Sequence, residues 1–360
     1  MKRIVLTVTT DLTYDQRMQR IGRSLASAGY AVTLIGRHLP LSVPLQTEPY
    51  RQHRMRCVFR KGKAFYLEYQ CRLFLRLLRE RMDVVCAVDL DTVLPCYAVS
   101  RLKGVTRVLD AHELFTEMKE VVTRPLVRSV WKAVERFAIP RFPRGYTVSG
   151  RIADHFRREY GVDYRVVRNL AVLQESISGR ATGDYIIYQG AVNEGRCFEW
   201  LLPAMKEVDV PLHIYGDGNL LDWVGRRIVE LGLEGKVVLM GKREPDALRS
   251  LTAFARVGVN LVEDLGLNNR YSLANRFFDY VHAGIPQVCS DLPAYRELNE
   301  RFRVALTVDG RDPAQIADAL NNLLRDAVLS FELSNACRTA ARVWNWQEEE
   351  KTLLGFYGNL

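Results

Sequence analysis

The chain has 360 residues, of which 48% are hydrophobic and 26% charged, so it is a globular protein of about two domains and not a disordered one. No apolar run reaches the roughly 18 to 20 residues that cross a bilayer, and the first eight residues, MKRIVLTV, lack the cleavage site of a signal peptide. The net charge of +9 is uneven, because residues 1–170 contain 31 of the 51 basic and 16 of the 42 acidic side chains. This basic first half predicts an anionic partner, either a membrane surface or a charged acceptor, and shows no recognised nucleic-acid module.

The first half alternates short β-branched runs with helical patterns. Strands are predicted at 3–9, 31–36, 55–59, 83–88, 106–110, 145–149 and 164–167, with helices at 15–28 and 65–81 among them. Strands separated by helices of this length indicate βαβ units in a parallel sheet. The helix at 65–79 is both basic and apolar. It could rest on a membrane surface, although such a pattern more often packs a core and exposes a basic face.

The strand and helix pattern restarts after a polar stretch at 174–184, which is predicted to link two domains. Strands follow at 185–189, 211–215, 236–240, 257–262, 287–290 and 305–308, and a last helical pattern covers 344–360. Three strands run directly into Gly190, Gly216 and Gly241, and glycine at the carboxyl end of a parallel strand lets a ligand approach the backbone. The predicted fold class is α/β, with two Rossmann-like domains facing across a cleft.

Seven cysteines are scattered along the chain, at 57, 71, 86, 96, 197, 289 and 337. They include no CxxC pair and no His/Cys spacing typical of a metal site. Their odd number and their places within apolar runs indicate reduced thiols, which predicts a cytoplasmic protein.

Charged side chains follow two strands of the first half. Asp110, His112 and Glu113 crowd the end of one strand, where His112 could hydrogen-bond a sugar or polarise a leaving group under the influence of a neighbouring carboxylate. A lone histidine is otherwise usually structural. Asp15 and Arg17 follow the first strand and are predicted to face the same site, unless they are ordinary first-turn helix charges.

The second half offers three further candidates at strand ends. Arg196 follows a loop that leaves Gly190, and it could neutralise a diphosphate or lie solvated at a helix start. Gly216-Asp217-Gly218 is too short for a dinucleotide fingerprint, and a tight turn explains it equally well. Glu263 could reach a sugar or be an ordinary loop carboxylate.

The stretch at 272–286 is predicted to be one helix with an anion site at its N-terminus. Its apolar residues recur at helical spacing, and Gly284 with Pro286 gives a stop signal. Ser272 could cap the start, where unpaired N–H groups attract an anion, and Asp279 would return to the same face about two turns later. Such a helix could hold a nucleotide diphosphate lengthwise, with the ribose at Asp279. The plainer alternative is a packed helix with a solvated Asp279.

Together these motifs resemble the GT-B glycosyltransferases, in particular the retaining family-4 type, over nearly the whole chain. Segments 83–91, 110–117 and 146–149 are similar to the family's acceptor-side domain, and segments 188–196, 215–218, 272–286 and 290–293 to its nucleotide-sugar domain. Segment 344–357 resembles the last helix of the family, which crosses back onto the first domain. The resemblance implies one domain at 1–169 with 343–360 and a second at 170–342.

The resemblance also implies residue roles. Asp279 stands where the family has the second glutamate of its E-x7-E signature, which holds the ribose, and Arg196 takes the place of the phosphate-loop lysine, with Cys197 in place of the following glycine. His112 would lie near the donor sugar. The remaining donor contacts would be the backbone N–H groups of Leu273 and Ala274 at the diphosphate and the side chains of Lys242 and Arg243 near the nucleobase.

Two positions depart from the family pattern. Tyr271 stands eight residues before Asp279, where the family has its first signature glutamate, and Glu263 is the candidate substitute. The arginine that precedes the phosphate lysine in the family has no counterpart between Gly190 and Gly195.

The resemblance implies a retaining hexosyltransferase-type enzyme that moves a sugar from a nucleotide-sugar donor to a glycan or lipid-linked acceptor in cell-surface polysaccharide or glycoconjugate synthesis. No metal or other cofactor is expected, because the leaving diphosphate would be stabilised by Arg196 and the helix N-terminus. The acceptor is expected at the basic first half, with peripheral membrane contact and without nucleic acid. The alternatives are a nucleotide-sugar 2-epimerase and a non-catalytic nucleotide-sugar-binding protein.

Overall fold

A computed structural model describes residues 1–40, 42–174 and 183–360. They form two compact units, Met1–Asn169 with Glu349–Leu360, and Leu170–Glu348. The linker predicted at 174–184 lies mostly outside the described residues.

The first unit is built on a seven-stranded parallel sheet. Its strands lie in the order β3-β2-β1-β4-β5-β6-β7. All five residues of β4 are buried, and because successive side chains point to opposite faces, both faces of this central strand are covered. The elements are β1 (Arg3–Thr7), α1 (Gln16–Ser27), β2 (Ala31–Arg37), β3 (Arg51–Met55), α2 (Gly62–Arg79), β4 (Val84–Val88), α3 (Val93–Lys103), β5 (Thr106–Ala111), α4 (Lys119–Val122), α5 (Pro125–Ala138), β6 (Gly145–Thr147), α6 (Gly150–Tyr160) and β7 (Arg165–Val166).

The second unit repeats this plan with a six-stranded parallel sheet in the order β10-β9-β8-β11-β12-β13. Its core is a continuous apolar cluster from both faces of the sheet, centred on buried side chains such as Tyr188, Phe198 and Leu320. The elements are β8 (Ile186–Gln189), α7 (Phe198–Ala204), β9 (Leu212–Tyr215), α8 (Leu221–Glu230), β10 (Val237–Leu239), α9 (Pro245–Phe254), β11 (Val257–Asn260), α10 (Gly266–Tyr271), α11 (Asn275–Ala283), β12 (Gln287–Ser290), α12 (Pro293–Arg301), β13 (Ala305–Val308), α13 (Pro313–Arg325) and α14 (Ala327–Ala341). Helix α15 (Trp346–Gly358) begins in this unit and continues into the first.

Counted within its own unit, the second sheet has the strand order 3-2-1-4-5-6 of the Rossmann fold, and the first sheet has the same order with a seventh strand added after the sixth. The predicted fold class, α/β with two Rossmann-like domains, is therefore confirmed. In such sheets ligands bind at the carboxyl ends of the strands, where the strand order reverses. These switch points lie between β1 and β4 in the first unit and between β8 and β11 in the second.

The last helix, α15, returns to the first unit as predicted. Tyr357 packs against Tyr146 with ring centroids 6.2 Å apart, and Glu349 accepts a hydrogen bond from the backbone N–H of Arg168 at 2.8 Å. The unit boundary differs from the predicted residue 343, because Trp344 is buried in the second unit against Phe278.

One strand prediction was wrong. Of the predicted strand at 55–59 only Met55 pairs, as the last residue of β3 (Arg51–Met55) beside β2, and Val58 and Phe59 are 76% and 52% exposed. The pattern misled because β3 is an edge strand, which tolerates charged side chains on its open side. Helix α2 buries Phe65 and Tyr69, so it packs the core while its other face is exposed.

No helix in the described ranges is long and apolar enough to cross a membrane. All seven cysteines are free thiols.

Candidate active site

Four side chains meet at the carboxyl edge of the first sheet, and we call Asp89, Asp91, Asp110 and His112 the edge cluster. His112 follows β5, and its Nε2 lies 3.0 Å from Oδ2 of Asp110 while Nδ1 lies 3.5 Å from Oδ2 of Asp89. The backbone N–H of His112 donates to Oδ1 of Asp89 at 2.8 Å. The two carboxylates therefore hold the imidazole between them at the carboxyl ends of β4 and β5.

Arg17 on α1 holds the Asp110 carboxylate in place. It is 4% exposed and grips the fully buried Asp110 with two hydrogen bonds, Nη2 to Oδ1 at 2.9 Å and Nε to Oδ2 at 3.3 Å. Its Nη1 donates to the carbonyl of Val167 beyond β7 at 3.0 Å. Arg17 thus supports Asp110 from inside the unit and presents little surface to an acceptor.

The pKa values of the edge-cluster side chains are strongly shifted. Burial lowers the pKa of His112, but the negative charges of Asp110 and Asp89 more than reverse this and raise it to about 9. Burial alone would raise the pKa of Asp110, but the positive charges of Arg17 and His112 outweigh burial and lower this pKa. Burial and the nearby acidic groups raise the pKa of Asp89. The carboxylate of Asp110, which stays ionised, thus favours the imidazolium form of His112, and this form could stabilise negative charge that develops beside it.

The backbone at Asp89 adopts an unusual conformation. Its φ is 55°, in the left-handed region that favours glycine, which is a mark of functional positions. Asp91, two residues on, accepts a hydrogen bond from the hydroxyl of Thr9, and burial raises its pKa to about 6. Asp89 and Asp91 have the Asp-x-Asp spacing, but both carboxylates are engaged within the unit.

In the second unit, two glycines bring the loops after β8 and β9 together. A Cβ on Gly216 would lie 1.9 Å from the carbonyl oxygen of Gly190, so only glycine fits there. Gly190 has a φ of 120° and donates its N–H to Tyr215 at 3.0 Å. These two glycines let the two loops pack against each other. The predicted approach of a ligand to the backbone at this edge stays a prediction.

Arg196 lies on the loop after β8, next to a strained residue. Cys197, in the place of the family glycine, has a φ of 59° and is fully buried at the start of α7. Arg196 is half-buried, and its Nε is buried without a hydrogen-bond partner among the described residues. Burial, followed by the positive charge of Arg276, lowers the pKa of Arg196. A guanidinium with an unused donor at this switch point is suited to an anion.

Asp279 lies on α11 beside the end of β8. Its Oδ2 accepts a hydrogen bond from Nε2 of Gln189 at 2.8 Å, and the Gln189 amide oxygen accepts from the hydroxyl of Thr252 at 2.5 Å. Gln189 immediately precedes Gly190, so this amide places the carboxylate at the same edge as Arg196.

Glu263 follows β11 at the neighbouring position of the edge. Its backbone N–H donates to the carbonyl of Gly195 at 3.0 Å, which joins its loop to that of Arg196. Glu263 is 9% exposed, and its charge is the main contribution after burial that raises the pKa of Cys197. A surface cavity of about 310 Å³ opens at this point, lined by Glu263 and by residues that follow β12 and β13.

The predicted helix start was wrong. The stretch 266–283 forms two helices, and Ser272 ends the first, α10, with its Oγ bonded to Oδ1 of Asn268 at 3.0 Å. Helix α11 begins at Asn275, so Ser272 and Asp279 do not share a helical face. The N–H of Ala274 already donates to the hydroxyl of Tyr295 at 2.9 Å. Ser272 and Ala274 are thus engaged within the unit, and Leu273 packs against the apolar core.

The remaining predicted site residues lie at helix starts and in loops after strands. Asp15 caps α1 by accepting from the N–H of Met18 at 3.1 Å, which is the structural role that its position also allowed. Asp217 is exposed and accepts from the N–H of Gly218 at 2.8 Å. Lys242 is exposed after β10, and Glu113 is half-buried beside His112.

Sequence reasoning missed Arg276, Gln189 and the roles of Asp89 and Asp91. The pair of aspartates could have been found, because they lie within three residues after the end of the buried strand β4. Arg276 gave no such signal, since an arginine on an amphipathic helix usually faces solvent. Here it is 6% exposed.

In the ranges that the structure describes, no group of three or more His, Cys, Asp or Glu side chains is arranged to hold a metal ion. The expectation that no cofactor is needed stays a prediction.

Two family models cover most of the chain. The model "Glycosyltransferase Family 4" matches residues 16–171, and "Glycosyl transferases group 1" matches residues 183–326. The boundary between the two matches falls at the start of the second unit.

Two curated relatives align with parts of the chain. A phosphatidyl-myo-inositol mannosyltransferase of Mycobacterium leprae is 26% identical over 63% of this chain and 59% of its own length. An uncharacterized glycosyltransferase of Methanocaldococcus jannaschii is 24% identical over 48% of this chain and 44% of its own length. The chain thus spans about half the length of these relatives.

Solved structures match the whole chain in fold. Sucrose-phosphate synthase from Thermosynechococcus elongatus superposes with a TM-score of 0.84 at 14% identity, covering 100% of this chain and 99% of that one. The Anabaena protein HepE in complex with UDP-glucose has a TM-score of 0.75 at 12% identity, with 100% of both chains covered.

Proposed function

This chain belongs to the family-4-type GT-B glycosyltransferases, and from that premise we propose that it transfers a sugar, with retention of anomeric configuration, from a nucleotide-sugar donor to a glycan or lipid-linked acceptor. The observation that carries the proposal is the edge of the second sheet, where Arg196, with an unused donor, and Asp279, fixed by Gln189, lie at the switch point. A cation for the diphosphate and a carboxylate for the ribose are what a nucleotide-sugar requires. The Anabaena fold neighbour bound to UDP-glucose supports this class of donor.

The proposed reaction divides the work between residues of the two units. In the second unit, Arg196 stabilises the negative charge that appears on the diphosphate as the glycosidic bond breaks. Glu263 takes the place of the missing first signature acid, because its loop is bonded to that of Arg196. In the first unit, His112 is proposed to hydrogen-bond the transferred sugar as an imidazolium. The acceptor hydroxyl attacks on the face that the diphosphate leaves, and its proton passes to the leaving phosphate oxygen.

The acceptor is proposed to be lipid-linked or otherwise anionic, bound at the inner face of the cell membrane in the cytoplasm. Helix α5 exposes Leu126 and Val130, 85% and 64% exposed, one turn apart. Arg124 precedes the helix, and the surrounding first half is basic. Exposed apolar side chains among basic ones suit a surface of anionic lipid. Flotation with phosphatidylglycerol vesicles tests this, and Leu126→Glu should abolish it.

A donor panel tests the proposed function. The protein is incubated with UDP-, GDP- and ADP-sugars, with and without a lipid-linked acceptor, and nucleotide release and sugar products are measured. Acceptor-dependent release supports transfer. An epimer formed without nucleotide release would instead identify a 2-epimerase, and binding without turnover a non-catalytic protein, the reading that Tyr271 in place of the first signature acid favours. His112→Ala should lower turnover by roughly a hundredfold or more while nucleotide affinity changes little.

A further inference from the structure

Arg276 is a buried cation that forms no ion pair with the residues described by the structure. Its Nε donates to Oδ1 of Asn260 at 2.9 Å, and its Nη1 donates to the hydroxyl of Tyr188 at 2.7 Å and to the carbonyl of Gln189 at 3.3 Å. These partners are neutral. Its Nη2 is buried and has no hydrogen-bond partner among the described residues. Burying a charge in this way is costly unless another group compensates.

The guanidinium lies at the edge where the donor is proposed to bind. Its Nη1 would be 3.2 Å from a Cβ on Gly190, the residue at which the phosphate loop leaves β8. Any side chain at position 190 would therefore crowd Arg276, and the glycine keeps this space open. Arg276 is the second residue of α11, whose N-terminus adds positive potential at the same place.

Arg276 also acts on Arg196. The two like charges are close enough for Arg276 to lower the pKa of Arg196, and both arginines hold a buried donor nitrogen without a partner. Two cations that repel each other and leave donors unused are each stabilised when an anion of charge −2 or more lies beside them. An inorganic or organic diphosphate has that charge.

We infer that Arg276 supplies the second positive charge of the diphosphate site, in place of the arginine that the loop between Gly190 and Gly195 lacks. This inference rests on the proposed function and deepens it. In this chain the second cation lies on α11 and not on the loop after β8, and it reaches the end of β8 through the Gln189 carbonyl. Gln189 connects the two parts of the site, because its carbonyl accepts from Arg276 and its side chain holds Asp279.

The alternative is a purely structural role, since Arg276 ties α11 to β8 and β11. The two roles differ in what they do to ligand preference. A structural defect weakens the binding of every ligand alike, whereas loss of a phosphate-binding charge weakens binding of the diphosphate more than that of the monophosphate.

The test compares nucleoside diphosphates with their monophosphates by calorimetry. UDP, GDP and ADP are titrated into the wild type, and the one that binds is compared with its monophosphate in Arg276→Gln and Arg276→Lys. Arg276→Gln should reduce the preference for the diphosphate roughly 10- to 100-fold, as expected for a lost charge-assisted hydrogen bond. Arg276→Lys keeps the charge and should keep most of the preference. Arg227→Gln, which removes an exposed arginine paired with Glu230 on α8, is the matched control and should match the wild type.

The outcomes separate this inference from the proposed function. If the wild type binds none of the three diphosphates, the proposed donor site is wrong. If it binds one and Arg276→Gln lowers the affinities for diphosphate and monophosphate equally, only the role of Arg276 is overturned. If Arg276→Gln does not fold, Arg276→Lys carries the test, and a folded Arg276→Lys without preference for the diphosphate would overturn the inference.

Discussion

Replacing Asp110 with asparagine should convert His112 from an imidazolium to a neutral ring at physiological pH. Asp110 is the strongest influence that raises the pKa of His112, which it contacts at 3.0 Å, so Asp110→Asn should bring that pKa from about 9 towards its ordinary value of 6.5. A shift of this size corresponds to about 3 kcal/mol of interaction with the charged ring, at 1.36 kcal/mol for each pH unit.

The same shift predicts how stability depends on pH. Because the pKa of His112 is higher in the folded than in the unfolded protein, its contribution to the free energy of unfolding is fully present below about pH 6.5 and is lost as the pH rises through about 9. In Asp110→Asn the loss within this window should be much smaller. Urea denaturation of both proteins at several values between pH 6 and pH 10 measures the difference.

The direct assay is titration of the histidine ring protons by NMR, with the His112 signal assigned from His112→Gln. Asp89→Asn is the companion variant: it removes the second carboxylate, and asparagine tolerates the left-handed backbone at this position. It should lower the pKa of His112 less than Asp110→Asn does. A wild-type His112 that titrates near 6.5, or one that Asp110→Asn leaves unchanged, would refute the reasoning.

Three further variants test other contacts. Arg17→Met leaves the fully buried Asp110 without its guanidinium and should lower the free energy of unfolding by roughly 3–5 kcal/mol in urea; a loss below about 1 kcal/mol would contradict the supporting role. Gly216→Ala places a Cβ 1.9 Å from the Gly190 carbonyl and should cost about 1–3 kcal/mol while weakening nucleotide binding, measured by thermal shift with and without nucleotide; wild-type behaviour in both would show that the loops do not interlock. Asp279→Ala should weaken nucleoside diphosphate binding in calorimetry without unfolding the protein, and unchanged affinity would remove Asp279 from the ribose site.

The sequence was sufficient for the fold because buried parallel strands are read from short apolar runs. All six strands of the second sheet were predicted within a few residues of their positions, and each is apolar and flanked by a turn or a helix. The sequence-based prediction failed at β3, where Arg51–Met55 pairs through its backbone although its side chains are largely polar. Backbone pairing at a sheet edge leaves little trace in residue type.

The candidate site was only partly predictable, since single positions do not reveal their partners. Strand ends directed attention to His112, Arg196 and Glu263, whose loops do reach the carboxyl edges of their sheets. The break between α10 and α11 was missed, because the stretch contains no proline or glycine between Tyr271 and Gly284. Arg276 was overlooked for a related reason: its burial depends on Asn260 and Tyr188, which lie far away in the sequence.

The return of Glu349–Leu360 to the first unit has a consequence for how the protein is made. A ribosome completes residues 1–169 long before it reaches Tyr357. Tyr146 on β6 therefore lacks its contact with Tyr357 while the entire second unit is synthesised. During that interval the nascent first unit exposes an aromatic surface that holdase chaperones are suited to cover. Residues 1–169 expressed alone should therefore be poorly soluble, because the aromatic surface stays exposed. Adding the 349–360 segment as a separate peptide should restore solubility.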